Sequence, residues 1–226
     1  SGDRNVALGY VALTQNSTGT YNVAIGSGSS QLNSSGSSNT SLGNNSMYSN
    51  TSANYNTAIG AEALYDIART SDTDGDNTAL GYNAGNTGTN DITTGNKNTL
   101  LGASTAASAA AGTNQTIIGY GASGVANNSV TIGNSDVTAW YPGADNTADL
   151  GSSSVEFKDL YIDGTAYLDA VDIDGGAIDG TAIGANSAST GAFTTITAST
   201  SLDVTGSTGI ILENDETITN STDAQI

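Results

Sequence analysis

The first two-thirds of the chain repeats one short hydrophobic pattern: a polar residue, any residue, a small residue, Ile or Leu, and then Gly. The pattern first occurs at residues 5–9 (Asn-Val-Ala-Leu-Gly) and returns seven times, the last copy occupying residues 129–133. Because side chains alternate along a strand, Val6 and Leu8 are expected on one face and Ala7 on the other. Each copy is therefore predicted to be a short β-strand that ends at a glycine corner.

Eight glycines close the copies of the pattern, and their spacing is short and nearly regular. Successive glycines lie 17, 17, 17, 21, 21, 17 and 14 residues apart, at Gly9, Gly26, Gly43, Gly60, Gly81, Gly102, Gly119 and Gly133. Self-similarity at such a period predicts a solenoid, in which each repeat forms one coil and contacts only its neighbours. We predict that the large aliphatic residue before each glycine forms the inner column of the coils, namely Leu8, Ile25, Leu42, Ile59, Leu80, Leu101, Ile118 and Ile132.

A second small residue follows three positions after each of the first seven glycines. It is Ala, Ser or Thr at positions 12, 29, 46, 63, 84, 105 and 122. Its recurrence predicts a second strand that returns to complete the coil, with Asn, Ser, Thr and Gly in the corners. Such a coil is expected to leave an outer apolar stripe at Val6, Val23, Leu100 and Ile117, which predicts a symmetric oligomer.

The copies of Asn-x-Ala-Ile-Gly over residues 5–133 resemble the head repeat of trimeric autotransporter adhesins of the YadA type. The resemblance implies a left-handed parallel β-roll assembled as a tight homotrimer. Only the last step, from Gly119 to Gly133, has the 14-residue spacing usual in that family. The other steps carry three or seven extra residues, so one corner of each longer coil is expected to depart from the family's regular shape.

The two longest coils contain the most variable residues of the repeats, and a binding surface is expected there. Their long segments span residues 65–76 and 86–97. Insertions in solenoids map to loops on one face, which is often the binding face. We take Asp72, Asp74, Asn90 and Asp91 as candidate contact residues. The alternative is that these segments are spacer loops that the fold tolerates.

The chain changes character after the β-roll head of residues 1–134. Residues 135–144 contain the only Trp and the only Pro, Trp140 and Pro142, and predict a cap or neck over the last coil, with a sugar-stacking platform as the alternative. Residues 145–226 predict an acidic, β-rich fibre shaft or connector in which three chains wind together. Within this part, residues 145–204, with segments such as 150–166 and 184–199, resemble stretches of tail-fibre and other virion proteins of tailed bacteriophages, particularly marine ones.

The net charge of the chain argues against two classes of binding partner. The 226 residues carry 22 acidic and 4 basic side chains, which gives a net charge of −18. Because nucleic acids and anionic bilayers are themselves polyanions, we expect the chain to bind neither. No apolar run approaches the ~20 residues that span a bilayer, so no membrane insertion is expected.

Few residues suited to catalysis are present. The chain has no His and no Cys, so the common nucleophile–base pairs are missing, and we expect no enzymatic activity. A sugar-cleaving alternative would require a pair of carboxylates in a cleft. Asp72, Asp74 and Asp76 stand at alternate positions, as at the start of a Ca²⁺ loop, but the distal Glu of an EF-hand is missing. We expect a solvated acidic turn and no cofactor, with Ca²⁺ as the alternative.

These features together predict an all-β structural and adhesive protein. The expected function is that of a non-enzymatic segment of a bacteriophage tail fibre, or of another virion fibre, that contributes to host attachment at the virion surface. The expected partners are two further copies of the chain, other virion or tail proteins, and a host-surface receptor or glycan. The alternative is the passenger of a bacterial trimeric autotransporter-type adhesin, displayed on the cell surface and attached through a heptad stalk and an outer-membrane anchor.

Overall fold

The computed structural model shows an all-β solenoid and describes residues 2–67, 75–145 and 147–166. Within these ranges there is no helix. The elements are eight short strands, β1 (Val6–Leu8), β2 (Val23–Ile25), β3 (Thr40–Leu42), β4 (Thr57–Ile59), β5 (Thr78–Leu80), β6 (Thr99–Leu101), β7 (Gln115–Ile118) and β8 (Ser129–Ile132). They form one parallel sheet in chain order, which amounts to about seven turns of solenoid. The predicted solenoid of repeats is therefore confirmed.

Neighbouring strands keep one register through the whole sheet. Leu42 pairs with Ile59 across a 17-residue repeat, and Ile59 pairs with Leu80 across a 21-residue repeat. Each coil is named here by the number of its strand. Because the pairing is the same for both repeat lengths, the additional residues of coils 4 and 5 are accommodated outside the sheet.

The middle residue of each strand, and not the residue before the glycine, points into the coil. Ala24, Ser41, Ala58, Ala79, Leu100 and Ile117 are fully buried. By contrast, Leu8 is 66% exposed, Ile132 is 48% exposed, and Leu42, Leu80 and Leu101 are each 43% exposed, while Ile25, Ile59 and Ile118 are half-buried. The alternation of faces is confirmed, but the predicted inner column is wrong. The predicted outer position of Leu100 and Ile117 is wrong for the same reason.

The narrowness of the coil explains which side chains enter it. Coil 4 has only Ala58 on the inner side of its strand, and Leu64 and Ile67 of the following turn fill the interior. Coil 7 has the larger Ile117 on its strand, and its turn supplies Gly124, whose α-carbon lies so close that an added Cβ would come within 3.2 Å of Ile117 Cδ1. One large side chain therefore excludes another across the coil, as close packing requires.

The second small position is buried as expected, but it does not belong to a second strand in the described coils. Ser29, Ser46, Ala63 and Ala84 are fully buried within turns, and Thr105 is fully buried next to Ala106, which forms only an isolated bridge with Ser123. In coil 4 the residues on either side of Ala63 have a left-handed backbone, with φ of 58° at Glu62 and 49° at Leu64. The turns still bond between coils, because Leu64 N–H donates to the Ala84 carbonyl at 2.9 Å.

Glycine is required at the corner after each strand for two reasons. Gly60 has a φ of +135°, a backbone conformation that residues other than glycine rarely adopt. A Cβ on Gly60 would also lie only 2.3 Å from the carbonyl oxygen of Gly81 in the next coil. The corner glycines thus permit both the turn and the close stacking of the backbones.

A column of buried asparagines connects the coils where the strands begin. The Oδ1 atom of Asn56 accepts hydrogen bonds from the backbone N–H and the Nδ2 of Asn77, both at 3.1 Å. Asn77 Oδ1 accepts in the same way from Asn98, at 3.1 and 3.0 Å. These side chains are at most 2% exposed, so the bonds satisfy polar groups that burial would otherwise leave unpaired.

The segment after β8 does not cover the last coil with its tryptophan. The Trp140 side chain is 79% exposed, so the predicted cap is wrong in its proposed contact. Residues 147–166 contain a single antiparallel bridge, between Ser152 and Val155, and no longer strand. The chain divides into two units, residues 1–156 and 157–226. The predicted shaft lies largely outside the described residues.

Candidate functional site

The outer side of the sheet is a continuous aliphatic surface, which we call the aliphatic face. Its residues are the outward-pointing Val, Leu and Ile of the eight strands: Val6, Leu8, Val23, Ile25, Leu42, Ile59, Leu80, Leu101, Ile118, Val130 and Ile132. Thr side chains occupy most of the other outward positions, and no strand residue is charged. Among the described residues of the single chain no element covers this surface, and its leucines remain 43–66% exposed.

A separate polar cavity of about 440 Å³ opens on coils 3, 4 and 5. Coil 4 contributes Glu62, Tyr65 and Asp66, and coil 5 contributes most of the remaining wall. The full lining is Asn45, Glu62, Tyr65, Asp66, Asn83, Asn86, Thr87, Gly88 and Asp91. None of these residues belongs to the aliphatic face. The two surfaces are therefore formed by different parts of the repeat.

The aromatic part of the cavity arises from the repeat itself. Tyr48 and Tyr65 occupy the same position in coils 3 and 4, five residues after the corner glycine, and their rings stack with centroids 5.0 Å apart and an interplanar angle of 6°. The equivalent residue of coil 5 is Asn86. The column of rings therefore ends at Tyr65, which lines the cavity together with Asn86.

A short loop in coil 5 forms the wall above Tyr65. One carboxylate oxygen of Asp91 accepts hydrogen bonds from the backbone N–H groups of Thr87 and Gly88, at 2.6 and 2.8 Å. The next residue, Ile92, is fully buried and donates its N–H to the Gly85 carbonyl at 2.9 Å. The loop is thus held by its own carboxylate at one point and by a core side chain at its end.

The cavity is acidic, and its ionisation equilibria are shifted. Partial burial, followed by the negative charge of Asp91, raises the pKa of Asp66, although a hydrogen bond with Ser49 acts in the opposite direction. Burial also raises the pKa of Tyr65, with smaller contributions from Tyr48, Asp66 and Glu62. Among the described residues that line this cavity, no Lys or Arg offsets the three carboxylates. An anionic ligand would therefore be repelled here.

One buried acceptor beside the cavity lacks a partner. Among the buried side-chain polar atoms of the described residues, Asn83 Oδ1 alone has no hydrogen bond. An unsatisfied buried acceptor costs about 1–3 kcal/mol. Such a group at the edge of a cavity favours a ligand that can donate a hydrogen bond after a rotation of the amide.

The sequence-based candidates fall partly in this cavity and partly elsewhere. Asp91 lines the cavity, whereas Asn90 is exposed beside it. Asp72 and Asp74 lie outside the described residues, so the proposed contact and Ca²⁺ roles of these two residues remain predictions. Asp76 is exposed, with a φ of 48°. In the described part of the chain, no group of three or more His, Cys, Asp or Glu side chains is arranged to hold a metal ion.

Sequence reasoning missed Glu62, and although Tyr65 and Asp66 lie in the long segment 65–76 where a binding surface was expected, neither was chosen as a contact residue. A usable signal was present, because Tyr48 and Tyr65 are 17 residues apart and solenoid stacking places residues at one repeat period side by side.

The neck has its own shallow cavity of about 440 Å³, lined by Trp140, Pro142, Ala148, Asp149 and Leu150. The sugar-platform alternative for Trp140 therefore stays a prediction.

Comparison of the chain with protein-family models, with curated proteins and with solved structures finds no match. In the part of the chain that the structure describes, no helix has the length and apolar character needed to cross a bilayer. The function must therefore be argued from the two surfaces themselves.

Proposed function

We propose that the chain is a non-enzymatic segment of a homotrimeric attachment fibre, and specifically of a bacteriophage tail fibre or another virion fibre. The observation that carries this proposal is the aliphatic face, which extends over all eight strands without a charged residue. Exposed apolar patches of this extent mark interfaces. Attachment by the assembled fibre follows from the polar loops that an assembly would display in several copies.

A second and third copy of the same chain are the partners that fit this face best. Each coil adds an equivalent outward pair of residues at the ~4.8 Å spacing of neighbouring strands, so another copy meets the face with the same repeat. The uncharged strands allow this contact although the chain carries a net charge of −18. Three copies and a left-handed coil are what the resemblance to the YadA-type head implies.

Host attachment is supported by the sequence resemblances and by the architecture of repeats. Fibre-like segments at residues 150–166 and 184–199 favour a virion protein, with other virion or tail proteins as neighbours and a host-surface receptor or glycan as the target. Three identical loops around one axis provide multivalent contacts, which raise avidity even when each contact is weak.

A bacterial surface adhesin is the second candidate, because the repeat over residues 5–133 is the feature that resembles such adhesins. The two candidates share the trimeric head and differ in what anchors it. A heptad stalk and an outer-membrane barrel encoded in the same open reading frame would establish the adhesin. Portal, coat or tail genes beside the reading frame would establish the virion fibre.

The trimer is tested by replacing one residue of the aliphatic face. Ile59→Asp places a carboxylate that is solvated in a single chain but buried three times in the assembly, at several kcal/mol per site. We expect native mass spectrometry to show three chains for the unmodified protein and one chain for I59D, with the far-UV circular dichroism unchanged. Thr89→Asp, in an exposed loop, is the matched control and should remain trimeric.

Two results would contradict the proposal. A single-chain mass for the unmodified protein at micromolar concentration would refute the homotrimer, and an I59D variant that stays trimeric would show that the aliphatic face is not the interface.

The absence of catalysis is tested separately, since Glu62, Asp66 and Asp91 do bring carboxylates into one cleft. Incubation with bacterial surface polysaccharide should release no new reducing ends.

A further inference from the structure

The cavity on coils 3, 4 and 5 is built from residues that the solenoid does not need for stacking. The position of Glu62 is filled by Val, Gly, Asn or Ser in the other coils, and the position of Tyr65 by Thr, Gln, Asn, Ala or Gly except in coil 3. A cavity opens where Tyr65 meets the loop of coil 5. Its composition therefore asks for an explanation beyond the fold.

The chemistry of the lining combines one aromatic ring with many hydrogen-bond acceptors. Tyr65 stacks on Tyr48 and lines the cavity, where its ring offers an apolar surface with a negative π face. The C–H groups of a sugar ring carry the complementary positive edge and pack on such a surface. This half of the cavity suits the flat side of a pyranose.

The other half suits hydroxyl groups. Glu62 and Asp66 present carboxylate oxygens that only accept, and Asn45, Asn83 and Asn86 present amides that both donate and accept. Sugar hydroxyls also donate and accept, and the unpaired Oδ1 of Asn83 lacks such a donor. Because none of the described residues that line the cavity is cationic, its three carboxylates disfavour sialic acids, uronic acids and phosphorylated sugars by repulsion.

The cavity is also formed in advance of binding. Asp91 holds the loop through the N–H groups of Thr87 and Gly88, and buried Ile92 fixes its end. A wall that is already ordered reduces the entropy lost when a ligand binds. The geometry is thus suited to one sugar residue, whose dimensions match a cavity of about 440 Å³ better than those of a long oligosaccharide.

We infer that this cavity binds one uncharged hexose residue of a surface polysaccharide, with the sugar ring packed on Tyr65 and its hydroxyls bonded to Glu62, Asp66 and the neighbouring amides. The inference deepens the proposed attachment function, on which it rests for the source of the sugar. The binding event itself needs only coils 3, 4 and 5 of one chain.

The test uses the full chain and saturation-transfer NMR with methyl glycosides of glucose, galactose and mannose, and with methyl glucuronide as the charged comparison. We expect at least one neutral glycoside to bind and the glucuronide to bind at least about tenfold more weakly. Tyr65→Leu keeps an apolar side chain but removes the aromatic surface, and it should weaken binding at least about tenfold. Tyr120→Leu, an exposed tyrosine of coil 7, should bind like the unmodified chain.

The inference is overturned if no neutral glycoside gives a signal at about 50 mM with folded protein, if the glucuronide binds as well as the neutral sugars, or if Y65L and Y120L behave alike. Preferential binding of lysine methyl ester would also overturn it, by assigning the carboxylates to an amine. The monomeric I59D variant should retain the sugar affinity per chain. A failure of sugar binding is thereby distinguished from a failure of trimer assembly.

Discussion

At the scale of single residues, the solenoid depends on residues with small side chains or none at its corners and turns. The corner glycines omit a Cβ that would overlap the next backbone, and the buried Ser and Ala of the turns omit bulk that the narrow coil has no room for. The asparagine column is the exception, because each amide is fully used. Substitutions at these positions are therefore expected to act through stacking between coils.

Replacing Gly60 by Ala should destabilise the solenoid strongly. The new methyl would sit 2.3 Å from the Gly81 carbonyl oxygen, and the residue would have to hold a φ of +135°. We expect a loss of at least about 2 kcal/mol per chain, measured as a lower midpoint of thermal unfolding by circular dichroism. Gly143→Ala, where an added Cβ meets no atom within 4 Å, is the control and should leave the midpoint nearly unchanged. Equal midpoints for the two variants would contradict the steric account.

Asp66 should make the folded state more stable as the pH falls. Because burial and the Asp91 charge raise its pKa above the ordinary 3.8, the folded chain retains a proton on Asp66 over a range where the unfolded chain has lost it. This contribution is fully present below pH 3.8 and is lost as the pH rises through the raised value. Asp66→Asn keeps the shape of the side chain and removes the titration, so its stability relative to the unmodified chain should increase on going from acid to neutral pH.

Thermal midpoints of the two proteins between about pH 3 and pH 8 measure this difference. Asp136→Asn, at an exposed site beyond the last strand, controls for the removal of one negative charge. A difference between D66N and the unmodified chain that does not change with pH would show that Asp66 titrates alike in both states. A D66N variant that is less stable at neutral pH would show that the Ser49 hydrogen bond outweighs the repulsion.

At the scale of elements, the turn of each coil matters as much as its strand. A strand of three residues supplies one inward side chain, so the turn must provide the rest of the interior. In coil 5 the turn has Gly85, and the gap is filled by Leu64 from coil 4 and by Ile92 from the inserted loop; an added Cβ on Gly85 would lie 2.8 Å from Leu64 Cδ2 and 3.6 Å from Ile92 Cδ1. The insertion is therefore part of the core as well as part of the cavity.

Ile92→Ala should loosen this loop as well as lower the stability of the coil. Ile92 is fully buried, and removing it leaves a cavity that costs about 2–4 kcal/mol. We expect the amides of Thr87 and Gly88 to exchange their hydrogens faster, because the loop loses its anchor. Hydrogen exchange followed by mass spectrometry reads out both effects. Val125→Ala, at a side chain that is 80% exposed, should change neither, and slow exchange in I92A would show that Asp91 alone holds the loop.

The elements were predictable from sequence to the extent that they recur. The eight strands occupy the eight copies of the pattern, and the register follows because equivalent residues pair. Whether Ala58 or Ile59 points into the coil was not predictable from the strand alone, since larger aliphatic residues usually lie inside. The turn decides this, because Leu64 and Ile67 already occupy the interior of coil 4. A recurring large residue in the turns at Leu13, Met47 and Leu64 was the available signal.

The cavity was predictable only in part for a related reason. Asp91 could be chosen because it lies in the long segment 86–97. Tyr65 is the first residue of the long segment 65–76 but Glu62 precedes it, and both residues meet Asp91 only through stacking. Residues 26 positions apart, such as Tyr65 and Asp91, carry no spacing signal unless the coil is first laid out by its period. Function could be approached from sequence through resemblance alone, since neither surface was visible as a motif.

At the scale of the whole molecule, the described solenoid separates its two surfaces by chemistry. The aliphatic face is uncharged and repeats in every coil, which suits contact with an identical chain. The cavity lies on coils 3, 4 and 5 and is acidic and polar, which suits a small polar ligand. In a trimer the three copies of the cavity would act together. Trimer assembly would therefore raise the avidity with which the chain binds a surface that carries many copies of the ligand.

The asparagine column has a direction and an end. The column ends at Gln115, whose backbone N–H donates to Asn98 Oδ1 at 3.0 Å. Its longer side chain bonds outside the column: Nε2 donates to Ser108 Oγ at 2.8 Å and to Asn127 Oδ1 at 3.2 Å, and Oε1 accepts from the Ser108 N–H at 3.0 Å. Every Asn unit before it presents the same amide to the unit on either side. A gene that duplicated one 17-residue unit between Asn22 and Asn56 would thus lengthen the solenoid by one rung, about 4.8 Å, and leave both ends intact. Recombination can therefore change the length of the solenoid in steps of one whole repeat.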